Sequence, residues 1–120
     1  MKTIIAGSRT AIDPKILKNA LVKCPFSVTS VVCGKARGAD TLGELYAREN
    51  DLELFEYPAN WDKFGKSAGY KRNEEMAQNA EALIALWDGE SRGTKHMIDL
   101  ANKYNLTVFI HNYNSGEKYV

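Results

Sequence analysis

Cysteine and long apolar runs are scarce in this sequence. The two cysteines, Cys24 and Cys33, have no CxxC spacing, and no apolar run reaches the roughly 20 residues that cross a bilayer. The amino terminus carries no recognisable secretory leader pattern. We therefore expect a reduced, cytoplasmic protein with free, buried thiols and no membrane association.

Neither sign of charge dominates. The chain has 16 Lys and Arg against 15 Asp and Glu, a net charge of +1, which argues against a surface that coats nucleic acid. The histidines, His96 and His111, have no metal-ligand spacing, so no metal site is expected. The fingerprints GxGxxG and GxxxxGK[ST] are absent after the first predicted strand, which disfavours a dinucleotide-dependent dehydrogenase and a P-loop ATPase.

Short apolar runs alternate with segments of helical spacing. Strands are predicted at 3–6, 28–32, 53–57, 81–87 and 106–111, with a helix after each of the first four and an irregular loop at 59–68. Such alternation predicts an α/β fold with a parallel sheet, right-handed crossovers and helices on both faces. We expect one domain over residues 1–120, in which 112–120 form a loosely ordered tail.

The stretch Cys33–Asp40, with the sequence CGKARGAD, joins the second strand to a helix. Helix N-termini present unpaired amides and partial positive charge, and glycine lets a phosphate approach the backbone. Arg37 adds a planar cation suited to phosphate. The alternative is structural: Gly34 and Gly38 form the turn, Asp40 caps the helix, and Arg37 is solvated.

Similar turns follow other strands, and in a parallel sheet they meet at the carboxyl edge, where the strand order reverses. This convergence predicts a site for a phosphate-bearing ligand, on which Trp61 or Phe64 would stack. Trp61 and Phe64 could instead plug the end of the sheet, and Tyr70 and Met76 are predicted to be core residues. The predicted ligand-binding residues are Gly7, Ser8, Arg9, Gly34, Lys35, Ala36, Arg37, Gly38, Ala39, Asp40, Trp61, Lys66, Arg72, Asn73, Asp88, Gly89, Ser91, Gly93 and Thr94.

Five short motifs together resemble one family, and the resemblance runs from Ile4 to about Val108. They are Gly7-Ser8-Arg9; Ala36-Arg37-Gly38-Ala39-Asp40; Pro58-Ala59-Asn60-Trp61-Asp62 with Gly65-Lys66 and Ala68-Gly69; Arg72-Asn73 with Met76; and Trp87-Asp88-Gly89 with Ser91 and Gly93-Thr94. The combination resembles the SLOG superfamily, the Rossmann-like group of the DprA and LOG proteins, and within it the YspA-like branch. The resemblance implies a Rossmann-like, doubly wound sheet of about five mainly parallel strands and a nucleotide or nucleotide-derived ligand.

Two positions depart from the family pattern. Lys35 stands where the family turn commonly has a second glycine. The departure puts close approach of a phosphate to the backbone in question at this point, and the lysine could contribute positive charge instead. Met97 stands where LOG hydrolases of nucleoside monophosphates carry the catalytic Glu of PGGxGTxxE. A thioether cannot move a proton, so LOG-type hydrolysis is disfavoured.

Three functions stay open at this stage. The first is a binding module or sensor for a nucleotide ligand, with no other cofactor implied. The second is a nucleotide-processing hydrolase; no catalytic residue is assigned, and the candidates for general acid or base are Asp40, Asp62, Asp88 and Glu90. The third is single-stranded nucleic-acid binding as in DprA, which the near-neutral charge disfavours. Exposed apolar helix faces could pair subunits, most simply as a homodimer.

Overall fold

A five-stranded parallel sheet organises the computed structural model, which describes residues 1–36 and 38–113. The strands are β1 (Lys2–Gly7), β2 (Ser30–Cys33), β3 (Glu53–Glu56), β4 (Ala82–Trp87) and β5 (Thr107–Asn112). The helices are α1 (Pro14–Lys23), α2 (Ala39–Glu49), α3 (Trp61–Phe64), α4 (Ala68–Gln78) and α5 (Arg92–Lys103), with a 3₁₀ turn at Gly65–Ser67.

The strand order is β3-β2-β1-β4-β5, and every pairing is parallel. From β1 the chain moves outward through β2 to β3 and then returns to place β4 against the other side of β1. Ile4 is therefore paired with Val32 on one side and with Leu83 on the other. The order reverses between β1 and β4, which is where ligands bind in open α/β sheets.

Helices cover both faces of the sheet because side chains of β1 alternate between them. Ile4 packs in a core cluster with Met76 of α4 and Met97 of α5, and its neighbour Ile5 packs in a second cluster with residues of α1 and α2 such as Leu42. Ile4 and Ile5 have no exposed surface. Burying each isoleucine side chain is worth about 1.5–3 kcal/mol, so the central strand anchors both layers. The predicted doubly wound α/β fold is confirmed.

The predicted ends of α1 and α5 also agree with the structure. The Asp13 side chain accepts a hydrogen bond from the Lys15 amide at 3.0 Å, and Pro14 is the first helical residue. At the other end Cys24 is the C-cap. After α5, Asn105 adopts a left-handed conformation with φ 60°, as expected of an asparagine that follows a helix.

The segment 59–68 is more regular than predicted. Asn60 accepts a hydrogen bond from the Lys63 amide at 3.1 Å and so caps the short helix α3, which the 3₁₀ turn connects to α4. The assignment of Tyr70 to the core was wrong, since its exposed fraction is 52%. Tyr70 lies six residues before the buried Met76, about 240° around the helix, and so belongs to another face.

The structure also corrects two smaller expectations. Strand β5 extends to Asn112, which the sequence assigned to the tail, and the Tyr113 hydroxyl lies 2.6 Å from the Thr10 hydroxyl. Residues 114–120 lie outside the described residues. Cys24 and Cys33 are both free thiols, but only Cys33 is buried, and burial raises its pKa to about 11. Within the described ranges, no helix is long and apolar enough to span a bilayer.

Candidate functional site

The loops at the carboxyl edge of the sheet surround a cavity of about 660 Å³ beside the reversal point between β1 and β4. Four connections contribute to it: those after β1, β2, β3 and β4. Thirteen of the predicted ligand-binding residues line it, namely Gly7, Arg9, Gly34, Lys35, Ala36, Asp40, Trp61, Lys66, Arg72, Asn73, Ser91, Gly93 and Thr94. The tertiary structure thus brings together side chains that are more than 80 positions apart in the sequence.

The turn between β2 and α2 is held from inside by Asp40. Its Oδ2 accepts a hydrogen bond from the Ala36 amide at 3.0 Å. The structural alternative, in which Asp40 caps the helix, is wrong. Gly38 occupies the N-cap position, and Asp40 lies in the first turn of α2. Burial raises the pKa of Asp40 to about 6, although the Ala36 amide and the charge of Arg72 oppose this rise.

Lys35 adopts a backbone conformation that favours glycine. Its φ is 57°, in the left-handed region that side chains other than those of Asn and Asp rarely adopt. The Lys35 ammonium lies 3.3 Å from the Glu56 carboxylate, so its charge is shared with β3 as well as with the cavity. Arg37, which the sequence singled out in the same turn, lies outside the described residues.

Arg72 and Asn73 connect this turn to α5. The Arg72 guanidinium donates from Nη1 to the Gly34 carbonyl oxygen and from Nε to Asn73 Oδ1, the latter at 3.0 Å. The Asn73 amide nitrogen lies 3.5 Å from the Gly93 carbonyl oxygen and 3.3 Å from Nδ1 of His96. One side of the cavity is therefore a continuous hydrogen-bonded chain from the β2–α2 turn through α4 to α5.

The turn between β4 and α5 is organised by Asp88 and Ser91. The Asp88 carboxylate accepts hydrogen bonds from the amides of Glu90 and Ser91, each at 2.8 Å. The bond from the Glu90 amide is the main factor that lowers the pKa of Asp88. Ser91 caps α5 and accepts hydrogen bonds from the amide and the hydroxyl of Thr94. This arrangement presents the positive end of the α5 dipole to the cavity.

Five predicted site residues shape the loops without lining the cavity. Ser8 is 1% exposed, and its hydroxyl accepts a hydrogen bond from the Asp88 amide at 3.1 Å. Gly38 has φ 81° and packs against the backbone of Ser8 and Arg9, where a Cβ would collide. The remaining three are Ala39, Asp88 and Gly89. Ser8 therefore ties the β1 loop to the β4 loop instead of facing the cavity.

Aromatic and apolar side chains complete the wall. Trp61 is 57% exposed, and the idea that it plugs the sheet is wrong. Tyr70, Met76 and Met97 also line the cavity, as do Ala6, Pro58, Ala59 and Gly69, none of which were assigned to the site from the sequence. Helical spacing could have found Tyr70, which lies three residues before Asn73 and so faces the same side of α4.

The four carboxylates considered as proton donors or acceptors are separated by the structure. Asp40 lines the cavity, whereas Asp62, Asp88 and Glu90 do not. Met97 lies in the cavity wall with 1% of its surface exposed. Among the described residues, no group of three or more His, Cys, Asp and Glu side chains is arranged to hold a metal ion.

Comparison with known proteins identifies the family of this chain. The family model described as "YspA, cpYpsA-related SLOG family" matches residues 1–64. The Gene 61 protein of Mycobacterium phage D29 is 33% identical over 127 aligned positions, which include 98% of each chain. Among solved structures, DNA processing protein A (DprA) from Streptococcus pneumoniae superposes with a TM-score of 0.72 at 18% identity. That match covers 91% of this chain and 49% of DprA, so the shared part is about half of the DprA structure.

Proposed function

Since the chain belongs to the YspA, cpYpsA-related SLOG family, we propose that its cavity binds a nucleotide or a nucleotide-derived ligand and that the protein acts as a binding module or sensor. The observation that carries the proposal is the meeting, in one cavity, of cationic side chains, two helix N-termini and an exposed indole. Each helix end contributes about 0.3–1 kcal/mol toward an anion. Cationic side chains add charge-assisted hydrogen bonds to this.

The phosphate part of the ligand would lie between the first turn of α5 and the side chains of Arg9 and Lys66. Both are exposed residues in the cavity wall. Arg72 also lines the cavity, and two of its nitrogens are directed to Gly34 and Asn73. Those bonds fix the guanidinium in place, so a phosphate would meet a cation that is already oriented.

The base would stack on Trp61. A Cβ at Gly69 would lie 3.7 Å from Cη2 of the indole and 3.8 Å from Nη2 of Arg72, so both groups border the same point of the wall. A residue other than glycine would fill this corner. An aromatic surface next to a cation suits a ligand that carries a base and a phosphate together.

A panel of phosphate-bearing ligands tests the proposal by thermal denaturation. We expect AMP, cyclic AMP or ADP-ribose to raise the melting temperature, because a ligand at a hundredfold over its Kd adds about 2.7 kcal/mol to the free energy of unfolding. A short oligonucleotide belongs in the same panel. If the oligonucleotide alone stabilises the protein, with a steep dependence on salt, strand binding replaces the proposal.

Two lysines of the same segment provide a matched control. Lys66 lines the cavity, whereas Lys63 lies outside it with its ammonium 5.2 Å from the ring centre of Phe64. Lys66→Met should weaken binding about tenfold, which corresponds to one charge-assisted hydrogen bond, and Lys63→Met should not. Equal losses in both variants, or no stabilisation by any member of the panel, would contradict the proposal.

Nucleotide cleavage is a second candidate, supported by the position of Asp40. This carboxyl is buried in the cavity wall, and its raised pKa of about 6 suits general acid–base catalysis near neutral pH. Chromatographic analysis of the stabilising nucleotide after incubation tests this function. Cleavage that disappears in Asp40→Asn, while binding is retained, would favour the enzyme over the binding module.

A further inference from the structure

His96 lies behind the cavity wall and contacts the residues that form it. Its ring is edge-on to Tyr70, with the ring centres 4.5 Å apart, and its Nδ1 lies 3.3 Å from the amide nitrogen of Asn73. On its other side is a shallow groove, lined by Ser67, Tyr70, Lys71, Glu74, Glu75 and Gln78 as well as His96. The sequence assigned no role to this histidine beyond that of a surface residue.

The orientation of the Asn73 amide is fixed by two partners of opposite character. Arg72 Nε can only donate, so the side-chain oxygen of Asn73 must face it. The Gly93 carbonyl oxygen can only accept, so the amide nitrogen must face the other way. Both requirements give the same orientation, and Asn73 is only 8% exposed.

This orientation determines which form of His96 fits. The nitrogen that faces Nδ1 of His96 is a donor, so Nδ1 must carry a lone pair and the ring proton must lie on Nε2. A doubly protonated ring would place an N–H against the amide N–H of Asn73. Turning the amide over would relieve that clash but would then place its nitrogen against Arg72 Nε, which is another donor.

We propose that His96 is a positioning residue for the ligand cavity: its unprotonated Nδ1 holds the Asn73 amide, which in turn holds the Arg72 guanidinium beside Gly34. Protonation of His96 releases Arg72 from this geometry. The inference rests on the proposed function in one respect, namely that the oriented Arg72 contacts the ligand.

The surroundings of His96 agree with a neutral ring. Burial lowers the pKa of His96, although the nearby Asp99 and Glu74 oppose this effect. The charged groups that face the ring are Lys71, Glu74 and Glu75 on α4 and Asp99 on α5, which is paired with Lys95 at 3.2 Å. At the Arg72 end of the hydrogen-bonded chain, the carboxyl of Asp40 interacts with the Arg72 charge. The titration of Asp40 therefore has to be separated from that of His96.

Two substitutions at His96 distinguish the role of the hydrogen-bond acceptor at Nδ1 from the role of the ring itself. In His96→Asn the side-chain oxygen lies the same number of bonds from Cα as Nδ1, so an acceptor that does not titrate remains. His96→Leu has a similar size but offers no acceptor. We expect binding of the stabilising nucleotide at pH 7.5 to be retained in His96→Asn and reduced several-fold in His96→Leu.

The decisive measurement uses the ligand-free protein, so its outcome is independent of whether a nucleotide binds. Nitrogen-15 NMR should show His96 protonated at Nε2 alone at neutral pH. The chemical shift of Arg72 Nε–H should change with pH at the same midpoint as the His96 ring signals, both in the wild type and in Asp40→Asn. This pH-dependent change should be absent in His96→Asn. A proton on Nδ1 at neutral pH, or an Arg72 titration that persists in His96→Asn and disappears in Asp40→Asn, would overturn the inference.

Discussion

The Arg72 guanidinium occupies the space that a Cβ on residue 34 would need, and its Nη1 donates a hydrogen bond to the Gly34 carbonyl oxygen. Glycine at this position therefore does more than permit a turn. It leaves room for the cation that links the β2–α2 turn to α4. The three atoms nearest to such a Cβ belong to the flexible Arg72 side chain, which could move away.

Gly34→Ala should consequently impair ligand binding more than folding. We expect the added methyl to displace Arg72 and reduce affinity about tenfold, because a charge-assisted contact worth about 1.5 kcal/mol is lost. The free energy of unfolding should fall by less than about 1 kcal/mol. Titration calorimetry and urea denaturation measure the two effects separately.

Gly38→Ala serves as the contrasting variant. Its φ of 81° is unfavourable for alanine, and the Cβ would meet the backbone of Ser8 and Arg9, which cannot move away easily. The expected loss of stability is about 2–4 kcal/mol, from overpacking and backbone strain together. If Gly34→Ala destabilises the fold as strongly as Gly38→Ala, the space at residue 34 serves folding and not the position of Arg72.

Asp40 should make stability depend on pH in a defined window. Burial raises the pKa of Asp40 from an ordinary 3.8 to about 6, so the folded protein favours the protonated carboxyl. The contribution of Asp40 to the free energy of unfolding is fully present below pH 3.8 and is lost as the pH rises through 6. At about 1.4 kcal/mol per pKa unit, the loss amounts to about 3 kcal/mol.

Asp40→Asn should remove this dependence. We expect the variant to gain stability relative to the wild type between pH 4 and pH 7, by up to about 3 kcal/mol, as measured by urea denaturation at each pH. The Ala36 amide can still donate to the asparagine oxygen, so the turn is retained. A difference between the two proteins that stays constant with pH would show that Asp40 titrates normally.

Ser8 should affect stability without affecting ligand affinity. Its buried hydroxyl accepts the Asp88 amide at 3.1 Å, so Ser8→Ala leaves that amide without this acceptor and costs about 1–2 kcal/mol. Ser67→Ala is the control, because the Ser67 hydroxyl is exposed and its substitution should change stability by no more than about 0.5 kcal/mol. If Ser8→Ala binds the nucleotide more weakly under conditions in which the variant is fully folded, the Ser8 hydroxyl contacts the ligand after all.

Trp61 should report on the base of the ligand. The protein has a second tryptophan, Trp87, whose indole nitrogen donates to the Ser91 carbonyl oxygen. Because Trp61 is 57% exposed in the cavity wall, a stacked base should quench its emission. We expect quenching by AMP, none by ribose 5-phosphate, and loss of the signal in Trp61→Phe.

Affinity gives an independent measure of the same contact. Trp61→Ala should weaken AMP binding by about 1–3 kcal/mol, the range found for one base stacked on an aromatic side chain. Ribose 5-phosphate should bind both proteins equally, since it has no base to stack. Equal losses for both ligands would show that the indole supports the cavity wall instead of contacting a base.

The sequence determined the architecture and the edge of the sheet where the site lies. The β1 and β4 runs are predominantly apolar and therefore require helices on both faces, and parallel strands joined by helices must send their loops to one edge. The family motifs at Ala36, Arg72 and Gly93 could therefore be assigned to one edge of the sheet from the sequence. Thirteen of the predicted residues line it.

Only the tertiary structure decided what each of these residues does there. Helical spacing cannot say whether a hydroxyl such as that of Ser8 faces a cavity or a neighbouring loop, because that depends on a partner 80 positions away. For the same reason, the sequence pointed to Arg72 and Asn73 but gave no pattern that connects them to His96. Local periodicity specifies the face of an element, whereas hydrogen-bond partners are set by the packing of one element against another.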